Sequence, residues 1–265
     1  MDPGGFARRL NQGVNDWLFS VAVYSMALVA LVGVLGVIWP LGWPHRRSRR
    51  RALVIAVVPV LIVIVIMQVT PSVRTSIDNH AIDEFAPQFH FREHHEAVVA
   101  ATPERVFAAI KSVSADEIRL FQLFTSIRRF GRPGPESIMN APQRKPILDV
   151  ATQTTFLLLA ENPPREIVVG TLVASPPGFR PPSKPTGDAF KAITQPGFAK
   201  ATMNFLVTDL GNGSTRVDTE TRVFATDDRT LRLFTAYWRI IFPGSSILRG
   251  TWLTAIKQRA EGRSS

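Results

Sequence analysis

Hydrophobic and polar positions change their rhythm twice along this chain. From Trp17 to Ile38 there is no charged residue, and from Ala52 to Val69 there is none again. The first run, WLFSVAVYSMALVALVGVLGVI, would extend about 33 Å as a helix, against a bilayer core about 30 Å thick. The second is shorter, but Arg51 can snorkel at its end, and Pro59 is expected to kink it. Neither run has a polar face, and both are too long for a buried strand. Neither contains Asp, Glu, Lys or His, which points to an anchor and away from an ion or substrate path. Gly33 and Gly36 lack the GxxxG spacing of a helix-packing motif. Trp17, Trp39 and Trp43 flank the first run, where indole rings favour the interface, and Pro40 and Pro44 close it.

Past residue 70 the apolar runs give way to short alternating and helical patterns. Residues 71–87 read as a linker. Phe89 to Ala100 reads as a first strand. Thr102-Pro103-Glu104 then has the form of a helix start, with Thr102 as cap and Val106, Phe107 and Ile110 as buried face. Ser114-Ala115-Asp116-Glu117 reads as a capping box opening a second helix, with Ile118, Phe121, Phe124 and Ile127 at helical spacing. Strands are expected over 147–160, 166–174, 198–209 and 215–225, the last two joined at Gly211-Asn212-Gly213. In the last strand Val217, Thr219, Thr221 and Val223 share one face and Asp218, Glu220 and Arg222 the other, so one side is expected dry and the other wet. A proline-rich loop over 175–188 precedes them. The chain ends in a long helix from Asp227, with Leu231, Phe234, Trp238 and Ile241 as its stripe. Pro243-Gly244 should break or kink it, and Ser245 can cap a continuation through Leu248, Trp252, Ala255 and Ile256.

The expected division is a tail over 1–16, a transmembrane hairpin over 17–70 with spans 17–38 and 52–69, a linker over 71–87, and one α+β domain over 88–262. Charge adds an orientation. Arg46, Arg47, Arg49, Arg50 and Arg51 crowd the loop 39–51, whereas Arg8 and Arg9 precede the first run and Arg74 alone follows the second closely. By the positive-inside rule this loop is cytoplasmic, and the C-terminal domain lies outside the cytoplasm, with the chain integral to the cytoplasmic membrane. The formal net charge is +10, with 8 basic against 5 acidic residues up to Ala86 and 23 against 16 beyond it. A basic domain beside a bilayer suits anionic headgroups, so membrane lipids are expected partners. No zinc finger, RNP motif or dense basic run occurs in the globular part, so nucleic acid is not expected. The chain has no cysteine, which excludes disulfides, thiolate metal sites and cysteine nucleophiles.

The motifs Val99-Ala100-Ala101-Thr102-Pro103-Glu104-Arg105-Val106-Phe107 and Val217-Asp218-Thr219-Glu220-Thr221-Arg222-Val223, with Tyr237-Trp238, carry a resemblance. Over residues 89–261 the order of elements resembles the START-like (SRPBCC) superfamily, which includes polyketide cyclase-like and lipid-transfer domains and bacterial members of undefined function. The resemblance implies a helix-grip fold, a curved antiparallel sheet around a long C-terminal helix, with a hydrophobic cavity between them. The residues expected to line it are Phe107, Ile110, Phe121, Phe124, Met203, Phe205, Thr219, Thr221, Phe234 and Trp238. The same aromatic residues would also serve to fill an ordinary core. Ala201, Thr219 and Thr221, small or polar on the inward face, leave room.

Other clusters read as surface chemistry. His90, His94 and His95 stand among Glu93 and Glu96, but His90 and His94 are four residues apart, roughly 13 Å on a strand, and no HExxH occurs. A solvated strand face accounts for them, and neither metal nor other cofactor is expected. Glu220 and Arg222 read as a surface ion pair. Gly211-Asn212-Gly213 lacks the third glycine and following helix of a nucleotide loop, and there is no GxSxG elbow. The reading is therefore a membrane-anchored binding protein for a lipid or other hydrophobic small molecule. A scaffold without ligand is the alternative, and a cyclase- or hydrolase-like enzyme would need convergent titratable groups inside the cavity.

Overall fold

The computed structural model describes residues 3–38, 46–76, 78–182 and 185–262, with side chains from Asn15 in the first helix and from Arg50 in the second. Trp39, Pro40, Trp43, Pro44 and His45 lie outside the described residues. The chain divides into two compact units: residues 1–71 with 231–243, and residues 72–230 with 244–265.

The first unit holds α1 (Pro3–Ile38) and α2 (Arg46–Gln68), so the arginines from 46 onward form the first turns of a helix and not a loop. Two stretches, Asn15–Ile38 and Arg50–Gln68, are long and apolar enough to cross a membrane. Their large side chains are mostly exposed, Leu28 at 63% and Val65 at 66% among them, which is unlike core helices of a water-soluble protein. The two helices meet through small residues: Ser20, Ala30, Ala52 and Ala56 are buried. A Cβ on Gly33 would lie 2.4 Å from the backbone nitrogen of Ala56, so only glycine permits this approach. Gly33 thus packs the hairpin without belonging to a GxxxG motif.

Residues Leu231–Pro243 of the C-terminal helix belong to this unit too. Pro243 has no N–H for the carbonyl of Arg239, four residues earlier. The Ser20 hydroxyl of α1 donates to that carbonyl at 2.9 Å, and Tyr24 Oη donates to the next one, Ile240, at 2.7 Å. Ser20 and Tyr24 are four apart and so share one face of α1. In return, the Arg239 guanidinium lies 4.4 Å over the Phe19 ring and donates to the carbonyls of Ile66 and Val69 at the end of α2, the latter at 2.5 Å. Trp17 meets Phe242 edge-on, with ring centroids 5.9 Å apart.

The second unit is α+β. Its elements are β1 (Arg74–Thr75), α3 (Ala81–Phe85), β2 (Gln88–Phe89), β3 (Phe91–Val99), α4 (Pro103–Ser112), α5 (Phe121–Arg128), α6 (Ile147–Thr154), β4 (Leu157–Asn162), β5 (Glu166–Ala174), α7 (Gly187–Lys191), β6 (Ala199–Asp209) and β7 (Thr215–Ala225). The last helix, α8 (Asp228–Glu261), runs through both units. β3-β7-β6-β5-β4 form one antiparallel sheet, and β1 pairs with β2. On the inner face Val99, Ile167, Val169, Phe205 and Val217 pack with Phe107 and Ile110 of α4, Ile147 of α6 and Trp252 and Ile256 of α8.

The outer face departs from expectation. Asp218, Glu220 and Arg222, read as solvent-exposed, are 9%, 7% and 1% exposed. The segment 71–87, read as a linker, carries α3, which meets Arg222 and Glu166, while Asp218 is held by His94 and Arg216. Arg222 donates from Nε to Glu220 Oε1 and from Nη1 to Asp83 Oδ1, both at 2.6 Å, and to the carbonyl of Ala86 at 2.9 Å. Arg92 grips the same Glu220 carboxylate at 2.8 and 2.6 Å. Beside them Glu166 accepts from the amides of Ala81 and Ile82, at 2.8 and 3.4 Å, and from Asn204 Nδ2 at 2.7 Å. Period-two alternation therefore marked the two faces correctly. It could not show that a five-residue helix supplies partners for the charged one.

Smaller departures have local causes. Residues 147–154 form a helix, because Ile147, Leu148, Val150 and Ala151 are its buried face, and the strand begins only at Leu157. Ser114 does pair with Glu117, its amide donating at 2.9 Å, but this closes a turn, and the helix starts at Phe121. Thr102 stands at the cap position of α4 without a side-chain hydrogen bond. The helix runs unbroken past Pro243, and Ser245 Oγ donates to Glu93 instead of capping.

Burial would raise the Glu220 carboxyl, but Arg92 and then Arg222 outweigh it and hold it at about 2. An unfolded glutamate titrates near 4.5. Stability from this group is therefore complete above about pH 4.5 and is lost as pH falls toward 2, by on the order of 3 kcal/mol. Glu220→Gln should lower stability at neutral pH and flatten the acid limb of the unfolding curve followed by near-ultraviolet circular dichroism. A second expectation concerns the hairpin. Ser20→Ala should destabilise the full chain in detergent by about 1 kcal/mol. In a Pro243→Ala background the same change should cost almost nothing, since the new alanine restores an amide for the Arg239 carbonyl. Thermal unfolding of the four proteins gives this coupling directly.

Candidate functional site on the inner sheet face

Of the ten residues expected to line a cavity, Phe107, Ile110, Phe121, Met203 and Phe205 lie together in the inner-face cluster. Thr219 is buried there and donates to the carbonyl of Asn204 at 2.9 Å. Thr221 accepts from Arg249. Phe124 is half-buried against Gly244. Phe234 and Trp238 are not brought to this place. They belong to the first unit, where Trp238 packs with Phe234 and Phe242 at 6.0 and 5.6 Å between ring centroids. The physical reason is length. A 34-residue helix extends about 51 Å, more than one small domain can cover, so only its part beyond Pro243 packs with the sheet cluster.

That part brings in the polar groups that distinguish this core. Ser245, Arg249, Trp252 and Ile256 recur at helical spacing. Arg249 Nη2 donates to Thr221 Oγ1 at 2.8 Å, and Nη1 lies against Met203 Sδ. Its guanidinium carbon stands 5.6 Å from the centre of the Trp252 ring, which meets Phe205 at 5.1 Å. Burial lowers the Arg249 pKa, and the charge of Glu93 opposes that without forming an ion pair. Glu93, 5% exposed, is already engaged: it pairs with His95 Nε2 at 3.0 Å and accepts from Ser245 Oγ at 2.8 Å. Trp252 is 4% exposed, and its Nε1–H has no acceptor among the described residues. Sequence reasoning missed Arg249 and read Glu93 and His95 as part of a solvated strand face, whereas Glu93 is buried, as is His90. One signal was available: Arg249 is the only charge in the stripe of Ser245, Trp252 and Ile256.

The chemistry open to this arrangement is recognition. The Glu93 carboxylate stands between Ser245 and His95, so the hydroxyl meets a carboxylate and not an imidazole base, unlike a nucleophilic triad. What remains are a guanidinium without a carboxylate partner and an indole N–H without an acceptor among the described residues, both in an apolar setting. Elsewhere, an open depression of about 440 Å³ is lined by Glu104, Phe107, Lys111, Glu161, Pro163 and Pro164, with Lys111 and Glu161 paired at 2.6 Å. His94, Glu96 and Asp218 bring ligand atoms within 4.8 Å of one another, but Asp218 is held by His94 and by Arg216, each at 3.0 Å.

No family model matches the chain. No curated protein matches it either. Among solved structures, the crystal structure of TTHA0849 from Thermus thermophilus is 11% identical with a TM-score of 0.27, over 66% of this chain and all of that one. That likeness is too weak to carry function.

Arg249→Met tests the account of the donors. The substitution keeps much of the volume of the side chain and removes a charge that lacks a carboxylate partner. It should leave stability unchanged or raise it by about 1–3 kcal/mol, measured by thermal unfolding.

Proposed function

We propose that this chain is a membrane-anchored binding protein for an apolar molecule that carries an acidic group, such as a lipid or a related amphiphile. The apolar portion lies along the Phe205 and Met203 side of the sheet, and the acidic group meets Arg249 and the Trp252 indole. The observation that carries this reading is a guanidinium without a carboxylate partner beside an indole N–H without an acceptor among the described residues of the inner core. A buried indole N–H without a partner costs free energy that a ligand acceptor would recover. In this reading the domain is a START-like helix-grip fold, in which the C-terminal helix covers the site and moves outward for entry. The two helices span the cytoplasmic membrane, with residues 39–51 inside and the domain outside, an orientation that the crowd of arginines supports.

The packing of Phe107, Ile110, Phe121 and Phe205 into one cluster favours a second reading, a tethered scaffold for envelope assembly without a ligand. Mass spectrometry of organic extracts from full-length wild type and Arg249→Met separates the two. On the first reading, one acidic amphiphile is enriched in the wild type and lost in the variant, while bulk lipid stays the same. Identical extracts, with no rise in melting temperature when acidic amphiphiles are added to the wild type, would move the assignment to the scaffold.

A further inference from the structure

The segment Arg119–Arg132 presents an apolar stripe edged with arginine. Leu120, Leu123, Ile127 and Phe130 follow one another at helical spacing and are 44%, 52%, 60% and 88% exposed. Ile127, whose spacing with Phe121 predicted a buried position, faces outward, while Phe121 is 2% exposed. Arg119, Arg128, Arg129 and Arg132 flank the stripe, and no acidic residue occurs from Arg119 to Gly134. Leu120 and Phe130, at the two ends of α5, have φ of +63° and +53°, a conformation that bulky side chains rarely adopt. Two strained apolar residues held out to solvent are costly in water and are understandable where water is replaced.

We infer that this face of α5 is a bilayer contact, with Leu123, Ile127 and Phe130 entering the acyl boundary and the arginines meeting anionic headgroups. An apolar stripe with a cationic border and no acid is the composition of interfacial helices. The occupant is fixed by two facts of the chain. The charge complements an anionic surface, and the domain is tethered to a bilayer at short range, since Ser72 comes four residues after the end of α2. Phe124, on the same short helix, rests against Gly244 of α8 and holds the helix to the domain, which leaves the stripe outward. The inference rests on the anchoring by α1 and α2, and it is independent of any ligand on the inner face.

The absence of native cysteine makes the test direct. Single-cysteine forms of the full chain, at Leu123→Cys, Ile127→Cys, Phe130→Cys, Leu28→Cys in α1 and Asn212→Cys in the β6–β7 turn, would carry an environment-sensitive fluorophore in lipid nanodiscs. The nanodiscs contain phosphatidylcholine alone or mixed with phosphatidylglycerol, with and without nitroxide-bearing lipid. The stripe positions should show a blue shift and strong quenching by the nitroxide lipid, greater with the anionic lipid, while position 212 stays water-like. Water-like emission at the stripe in both lipids would overturn the inference. So would a blue shift without lipid quenching, which would assign the face to a protein contact. Equal quenching with and without phosphatidylglycerol would overturn the role given to the arginines. If the label at position 28 is not quenched, the anchoring itself fails and the inference with it.

Discussion

A proline in the middle of the last helix sets the terms for the first unit. Pro243 frees the carbonyl of Arg239, and an unpaired carbonyl in an apolar setting is expensive. The helix survives because Ser20 and Tyr24 donate to the carbonyls of Arg239 and Ile240. The exchange is reciprocal, because α2 ends with carbonyls of its own and Arg239 donates to those of Ile66 and Val69. Three helix segments thus supply one another's missing hydrogen bonds. Hydrophobic burial offers little here, since the outward surfaces of α1 and α2 remain apolar and exposed. Small residues at Gly33, Ala52 and Ala56 and a few polar bonds hold the unit together, as expected where the solvent is as apolar as the side chains.

The domain is built on a different logic. Its sheet has two covered faces, one apolar and one ionic. α3 docks on the ionic face, and its charges are paired: Arg222 with Glu220 and Asp83, Glu220 with Arg92 as well, and Glu166 with two amides and Asn204. A buried network of this kind adds little net stability over an apolar core, but breaking one member leaves the others uncompensated. It also fixes where α3 docks, since a shift would strand Asp83 and Glu166 together.

Much of this was legible in the sequence. The two apolar runs, the four strands β3, β5, β6 and β7, the turn at Gly211-Asn212-Gly213 and the long last helix follow from periodicity and turn chemistry. What was not legible shares one cause: the partner lay far away in the chain. Glu220 looked like a surface residue because Arg92, 128 positions earlier, and α3 were invisible to a local pattern. Residues 147–154 looked like strand because an apolar run next to a turn does not declare its period. Phe234 and Trp238 were assigned to the sheet because an unbroken stripe does not say where a helix changes neighbours. For the inner face, five of the ten residues expected to line a cavity lie in one cluster, while Arg249 beside them came only with the structure and Glu93 had read as solvated.

The two faces of the sheet differ in how their charges are met. On the outer face the charges stand in ion pairs and hydrogen bonds, although Arg222 Nη2 has no acceptor among the described residues. On the inner face it is a carboxylate partner for Arg249 that is missing among the described residues. Glu93 spends its oxygens on His95 and Ser245, so Arg249 has a threonine hydroxyl and a methionine sulfur for neighbours, and the Trp252 indole has none. A fold that satisfies so many charged groups on one side has the means to place a carboxylate beside Arg249 on the other. On the proposed reading, leaving it out costs stability in the empty domain and adds affinity for a molecule that brings the missing acceptor. On the proposed reading, the excess of donors among apolar walls is half of a binding site and not a flaw of packing.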